Sequence, residues 1–188
     1  MRSAVCKQSG KGLGDGVASE VTAFFDVLPG HQEELRAAAR RFTEAIRNLD
    51  PAIGIRTGLR DTRHVIFDDG RRLLWCASFE GEWDKWVDDG LFLIGAERFL
   101  DWLRHTAQGE GLVASVASLT AILQSVQAQA AAYFDPLGAL TLPQIVAAQR
   151  LFRRISSVND GLEEASMTMK NSTGHPGVTA RRSRGDAR

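Results

Sequence analysis

The sequence predicts an α+β domain: an antiparallel sheet in βαββαβ order with its helices on one face, followed by an extra C-terminal helix. Three observations carry this. Short β-branched and aromatic runs alternate with stretches of helical apolar spacing. An Asp68-Asp69-Gly70 turn joins two such runs directly into a hairpin. The remaining connections are long enough to hold crossover helices.

The elements follow in order. Residues 1–19 are rich in Gly and Ser without periodicity, and read as a flexible lead-in. Val21 to Leu28 (VTAFFDVL) reads as the first strand. Pro29-Gly30 turns the chain into a helix with Glu33 and Glu34 in its first turn, where the macrodipole favours acids. Leu35, Ala38, Phe42, Ile46 and Leu49 recur at three- and four-residue steps, Arg40, Arg41 and Arg47 load the C-terminal half, and Pro51 is expected to stop the helix. Thr62 to Phe67 is the second strand and Leu73 to Phe79 the third. Next comes a long helical region. Trp83, Trp86, Val87 and Ile94 share one face, and Phe99, Trp102 and Leu103 continue it past a break near Gly95. Leu119, Ile122, Leu123 and Val126 mark a short helix. Ala128 to Phe134 is read as the last strand, because turn chemistry at Asp135-Pro136-Leu137-Gly138 ends it and the order still needs a strand. Thr141 then caps a final helix with Pro143 in its first turn and Ile145, Ala148, Phe152 and Ile155 as its stripe. The pattern fades near Asn159.

This order is the split βαβ, or ferredoxin-like, arrangement. The expected divisions are a flexible segment at 1–19, a domain at 20–158 and a disordered basic tail at 159–188. The sheet face away from the helices should be polar, yet Leu74 and Cys76 lie on one side of the third strand and Leu73, Trp75, Ala77 and Phe79 on the other. Phe24 and Phe25 divide likewise between the faces of the first strand. An apolar second face needs a cover, and a second copy of the sheet in a homodimer, a dimeric α/β barrel, is the expected one. A helix of the same chain is the alternative.

Composition narrows the partners. Apolar residues make up 44% and charged residues 24%, as in ordinary globular domains. Basic and acidic residues number 23 each, so no surplus points to nucleic acid or an anionic membrane. No apolar stretch reaches the length of a membrane span, and the first residues lack the apolar core of a signal peptide. Cys6 and Cys76 form neither a disulfide framework nor a zinc ligand set. The expectation is a cytoplasmic protein with reduced cysteines and no metal.

Within that fold the candidate chemistry is sparse. His64 stands mid-strand between Arg63 and Val65, where a histidine serves as a haem-iron ligand or a general base or, alternatively, is a seam residue held by a neighbour. His105 follows Trp102 near a helix end, where the dipole favours a cation. Arg56, Arg60, Arg63, Arg71 and Arg72 gather around the second and third strands. They suit a carboxylate or phosphate, or simply solvate strand ends. Glu80, Glu82, Asp84, Asp88 and Asp89 form an acidic run that a helix start explains without metal. Trp75, Trp83, Trp86 and Trp102 line either a pocket or a core.

The run TRHVIFDDGRRLLWCASFEGEWDKWVDD resembles the strand pair and helix start of dimeric α/β-barrel proteins. In particular it is similar to bacterial proteins related to the ferredoxin-like half of dye-decolorising peroxidases. Arg63, Asp68, Asp69, Leu73, Leu74, Phe79, Gly81, Trp83 and Asp84 carry the likeness, which spans roughly residues 20–155. It implies a sheet-to-sheet dimer and, in catalytic relatives, haem or small-molecule chemistry. Gly12-Leu13-Gly14-Asp15-Gly16 also fits the Gly-x-x-Asp-Gly haem motif of those peroxidases. It precedes the first strand and no helix follows it, so it reads as chance. Two functions are therefore expected. The first is oxidoreductase or monooxygenase-like chemistry on a small apolar molecule, with His64 catalytic and Arg63, Trp75 and Tyr133 around the ligand. The alternative is a non-catalytic ligand-binding or interaction module without cofactor.

Overall fold

A computed structural model describes residues 4–5, 10–113 and 115–172. The chain divides into two compact units, 1–145 and 146–188. The first holds strands β1 (Ala4–Val5), β2 (Leu13–Asp15), β3 (Ala18–Asp26), β4 (Leu59–Phe67), β5 (Arg72–Glu80) and β6 (Gln127–Ala128). Its helices are α1 (Gln32–Arg47), α2 (Pro51–Arg56), α3 (Trp83–Gly90), α4 (Ala96–Leu103) and α5 (Val116–Ser125). A last helix, α6 (Leu142–Ser172), begins in the first unit and makes up the described part of the second.

Every strand pairing is antiparallel. The order is β1-β2-β3-β5-β4, and β6 also pairs with β3. Because β5 runs along one whole edge of β3, β2 and β6 divide the other. The register sets Ala23 opposite Trp75 and His64 opposite Trp75, so the three long strands share a layer. On the helix-covered face Val21, Ala23, Phe25, Leu73, Trp75, Ala77 and Phe79 are buried. Leu35, Ala38 and Phe42 of α1 meet them, as do Trp83, Trp86, Phe99 and Trp102. Phe79 stacks on Trp86 with centroids 4.2 Å apart, and Phe25 meets Trp102 edge-on at 5.2 Å. Such pairs add about 0.5–1.5 kcal/mol beyond the area they bury.

The hairpin between β4 and β5 turns through Asp68 (φ 53°), Asp69 (φ 52°) and Gly70 (φ 84°). Positive φ across both aspartates matches the twist of the flanking strands. The break in the long helical region is a π-turn at Leu91–Gly95, ending on Gly95 with φ 103°. It lets α3 and α4 both lay aromatics on the sheet.

Several expectations shift. The first strand begins at Ala18 rather than Val21, and β2 lies inside the segment read as a flexible lead-in. Glycine explains this. A Cβ on Gly12 would stand 1.7 Å from the Glu20 carbonyl oxygen, and Gly16 turns with φ 68°. The composition that suggests flexibility is what lets the backbones approach. Pro51 does not stop α1, which ends at Arg47. It opens α2, where Asp50 accepts from the Ala52 N–H at 2.8 Å. The last strand is only Gln127–Ala128. Extending it along β3 would require the edge positions at Ala18 and Ser19, which β2 already holds. Finally, α6 runs on past Asn159 to Ser172; residues 173–188 of the expected tail lie outside the described residues. Cys6 also lies outside them. Among the described residues, no helix is long and apolar enough to cross a membrane.

Candidate functional site

The stripe of α1 next to its buried residues carries Arg36, Arg40, Thr43, Glu44 and Arg47 at three- and four-residue steps. It faces β4, which among the described residues pairs only with β5 and is a sheet edge. Between them lies an open cleft of about 370 Å³, with His64 and Ile66 of β4 lining its other side. Arg36 has an exposed partner in Glu33, Nε to Oε1 3.4 Å. Among the described residues, Arg40 and Arg47 face no carboxylate within ion-pair distance. Arg41, one position round the helix, leaves the cleft altogether. Its guanidinium clasps Asp101 of α4 at 2.9 and 3.0 Å. The cleft thus gathers three guanidinium groups against the single carboxylate of Glu44.

His64 is half-buried on this side of β4. Its ring meets Phe42 at 5.4 Å and Trp102 at 5.0 Å, both edge-on, and its Nε2 is buried without a hydrogen-bond partner. Burial pushes its pKa down to about 4, so the imidazole is neutral at pH 7. A base that weak gives little driving force to proton abstraction near neutrality. Its Nε2 offers no open coordination position, being buried against packed side chains. What the arrangement offers is a neutral, polarisable surface flanked by exposed guanidinium groups.

The expected site residues separate across the sheet. Trp75 is the cross-strand neighbour of His64, but it is a core residue. Its Nε1 donates to Thr62 Oγ1 at 3.1 Å, and the space beside it is only about 10 Å³, roughly one water. Arg63 is exposed and lies opposite Cys76, on the face away from the helices. Tyr133 lies on that same face near Ser78, its phenol pushed up by burial and then by Asp135. His64 and Trp75 are therefore on one side of the sheet, and Arg63 and Tyr133 on the other.

That second face is mixed and not uniformly apolar as expected, since Thr22, Asp26, Arg63, Arg72 and Ser78 share it with an apolar patch. Phe24, Leu74 and Cys76 are half-buried, Val65 is exposed, and the Arg72 guanidinium sits over the rings of Phe24 at 5.4 Å and Phe67 at 5.3 Å. One end of it is clamped by an arrangement the sequence does not announce. Arg60, at a bulge in β4, reaches Asp135 Oδ2 at 2.7 Å and Glu80 Oε1 at 3.1 Å, and donates to the carbonyls of Leu137 and Leu140. Glu80 also accepts from the Leu142 N–H. Asp15 accepts from the Asp135 N–H at 3.2 Å, and Gly138 packs against the Asp15 backbone. The Gly12-to-Gly16 run is thus structural, since Asp15 and Gly16 dock the turn at Asp135–Gly138 and Gly12 lets the backbone approach Glu20. The one signal that could have found the clamp is the Asp-Pro-x-Gly turn itself, which needs an anchor.

Two members of the acidic run are likewise occupied, Glu80 on Arg60 and Asp89 on Lys85. Among the described residues, no group of three or more metal-ligating side chains comes together. In comparisons with known proteins, the chain matches no protein-family model, no curated protein and no solved structure.

Proposed function

We propose that this chain is a binding protein that takes a small organic anion, a carboxylate with a short apolar body, in the cleft between α1 and β4. One observation carries the reading: Arg36, Arg40 and Arg47 surround a neutral, half-buried His64. Guanidinium groups pair with carboxylates through two parallel hydrogen bonds, and Ala39 and Ile66 supply apolar wall for the rest of the ligand. This is the ligand-binding module that the sequence offers as an alternative. The oxidoreductase or monooxygenase-like reading rests on the resemblance alone, and the weak basicity of His64 counts against it.

The same reading makes the domain ferredoxin-like. The strand order β6-β3-β5-β4, with α1 between β3 and β4 and with α3 and α4 between β5 and β6, supports it. It also pairs two copies through the apolar patch of Phe24, Val65, Leu74 and Cys76, which leaves the α1–β4 cleft of each copy on the far side of the sheet.

A thermal-unfolding panel tests the binding. Benzoate and short aliphatic carboxylates should raise the melting temperature, their neutral amides should not, and Arg40→Ala should abolish the shift. An equal shift with the amides, or an undiminished one in Arg40→Ala, would count against the cleft.

A further inference from the structure

We infer that His31 and His105 form a two-histidine site for a divalent cation of the zinc class, held between their facing Nδ1 atoms, with Glu34 as third ligand and water completing the shell. The site lies outside the α1–β4 cleft and does not depend on it.

The backbone sets the two rings face to face. His31 is the N-cap of α1, and its N–H donates to the Leu28 carbonyl at 3.0 Å. His105 follows the end of α4, and its carbonyl accepts from the Leu28 N–H at 3.0 Å. Leu28 thus anchors both residues. Both side chains are half-buried, with their ring centroids 5.3 Å apart and their Nδ1 atoms 3.1 Å apart. Zinc bonds imidazole nitrogen at about 2.0–2.1 Å, so two such bonds at roughly 90–110° hold their nitrogens about 2.8–3.4 Å apart. The pair already has the bite of two adjacent ligands. Imidazole nitrogen also selects the ion, since it suits zinc, copper and nickel, whereas magnesium and calcium want oxygen.

As a hydrogen-bonded pair, one ring carries its proton on Nδ1 and the other accepts it. A metal ion needs both Nδ1 lone pairs. The donor ring therefore releases its Nδ1 proton to water and takes one at Nε2. Both rings stay neutral, and no net proton is lost.

The helix start supplies the third ligand. Glu34 is three residues past the N-cap, the position whose side chain reaches back over the cap, so a side-chain rotation brings its carboxylate to the pair. Asp101 is already clasped by Arg41, and contributes charge rather than an oxygen. The fields of Asp101 and Glu34 both favour positive charge at His105. The C-terminal end of α4 favours it too, and offsets the N-terminus of α1, which opposes a cation.

Zinc titration of the full chain, followed by nuclear magnetic resonance of the histidine ring nitrogens, tests this in a Cys6→Ser, Cys76→Ser background. One equivalent of zinc should shift the His31 and His105 signals together, leave both rings protonated on Nε2, and leave His64 unmoved. His105→Asn should weaken zinc binding by more than about tenfold, since even a residue that only supports a ligand costs that much. Glu34→Gln should weaken it less. A response at one ring only, or at neither, with zinc in excess would overturn the proposal, and so would an affinity that His105→Asn fails to lower. The first readout uses both native histidines, so it stands whether or not a variant folds.

Discussion

Nδ1 of His31 stands 3.1 Å from Nδ1 of His105, which ties the start of α1 to the end of α4. One ring must donate and the other accept, so the bond tolerates one shared proton and not two. Backbone bonds reinforce the junction: Leu28 N–H donates to the His105 carbonyl at 3.0 Å and His31 N–H to the Leu28 carbonyl at 3.0 Å. The pKa of His105 is lowered by burial first and by His31 next, against the pull of Asp101 and Glu34. A lowered folded-state pKa means the unfolded chain binds the proton more tightly. This contribution is therefore fully present above the ordinary histidine value and is lost as pH falls below it. Urea unfolding at pH 7 and pH 5 should show the wild type losing more stability on acidification than His105→Asn.

His64 acts in the same direction over a wider window. Its pKa falls from 6.5 to about 4, so stability should decline as pH drops from about 6.5 toward 4. The shift is equivalent to roughly 3 kcal/mol at most. Partial exposure of the ring reduces it. His64→Phe keeps the contacts with Phe42 and Trp102 and removes this titration, so its unfolding free energy should decline less than the wild type's across that range.

Gly12→Ala should be among the most damaging single changes outside the core. The new Cβ would meet backbone at 1.7 Å, which no rotamer relieves. A cost of about 2–3 kcal/mol is expected, with loss of β2 from the sheet. Amide hydrogen exchange should show Leu13 to Asp15 deprotected while β5 stays slow.

Arg60→Met should destabilise the molecule by roughly 3 kcal/mol, because it leaves Glu80 and Asp135 without their cation. Arg60→Lys should recover only part of that, since one ammonium cannot span two carboxylates and two carbonyls. Limited proteolysis between Gln129 and Leu140 should accelerate in both variants, most in Arg60→Met.

The sequence carries the core well. The periodicity of Trp83, Trp86, Phe99 and Trp102 and the alternation of Leu73, Trp75, Ala77 and Phe79 are local patterns that burial obeys. The Asp68-Asp69-Gly70 turn is legible for the same reason. Competition is not. Nothing local in Ala128–Phe134 reveals that β2 takes the edge those residues would need, so the last strand reads longer than it is. The site is legible only in part. His64 stands out, but the arginines that share its cleft come from α1, not from the strand arginines nearest in sequence. Tyr133 and Trp75 look like neighbours of His64 only until the course of the chain puts Tyr133 on the opposite face. Arg60 shows its role only when Glu80 and Asp135, far apart in the chain, meet at one bulge.

Carboxylate binding against His64, in the cleft between α1 and β4, is read most directly by nuclear magnetic resonance of the His64 ring during a benzoate titration. The expected result is a saturable shift of the His64 signals and a rise of its pKa from about 4, because a bound anion favours the imidazolium. Arg40→Ala should lose both. Signals that stay fixed while benzoate is added, with His64 still titrating at its original value, would contradict binding at this cleft.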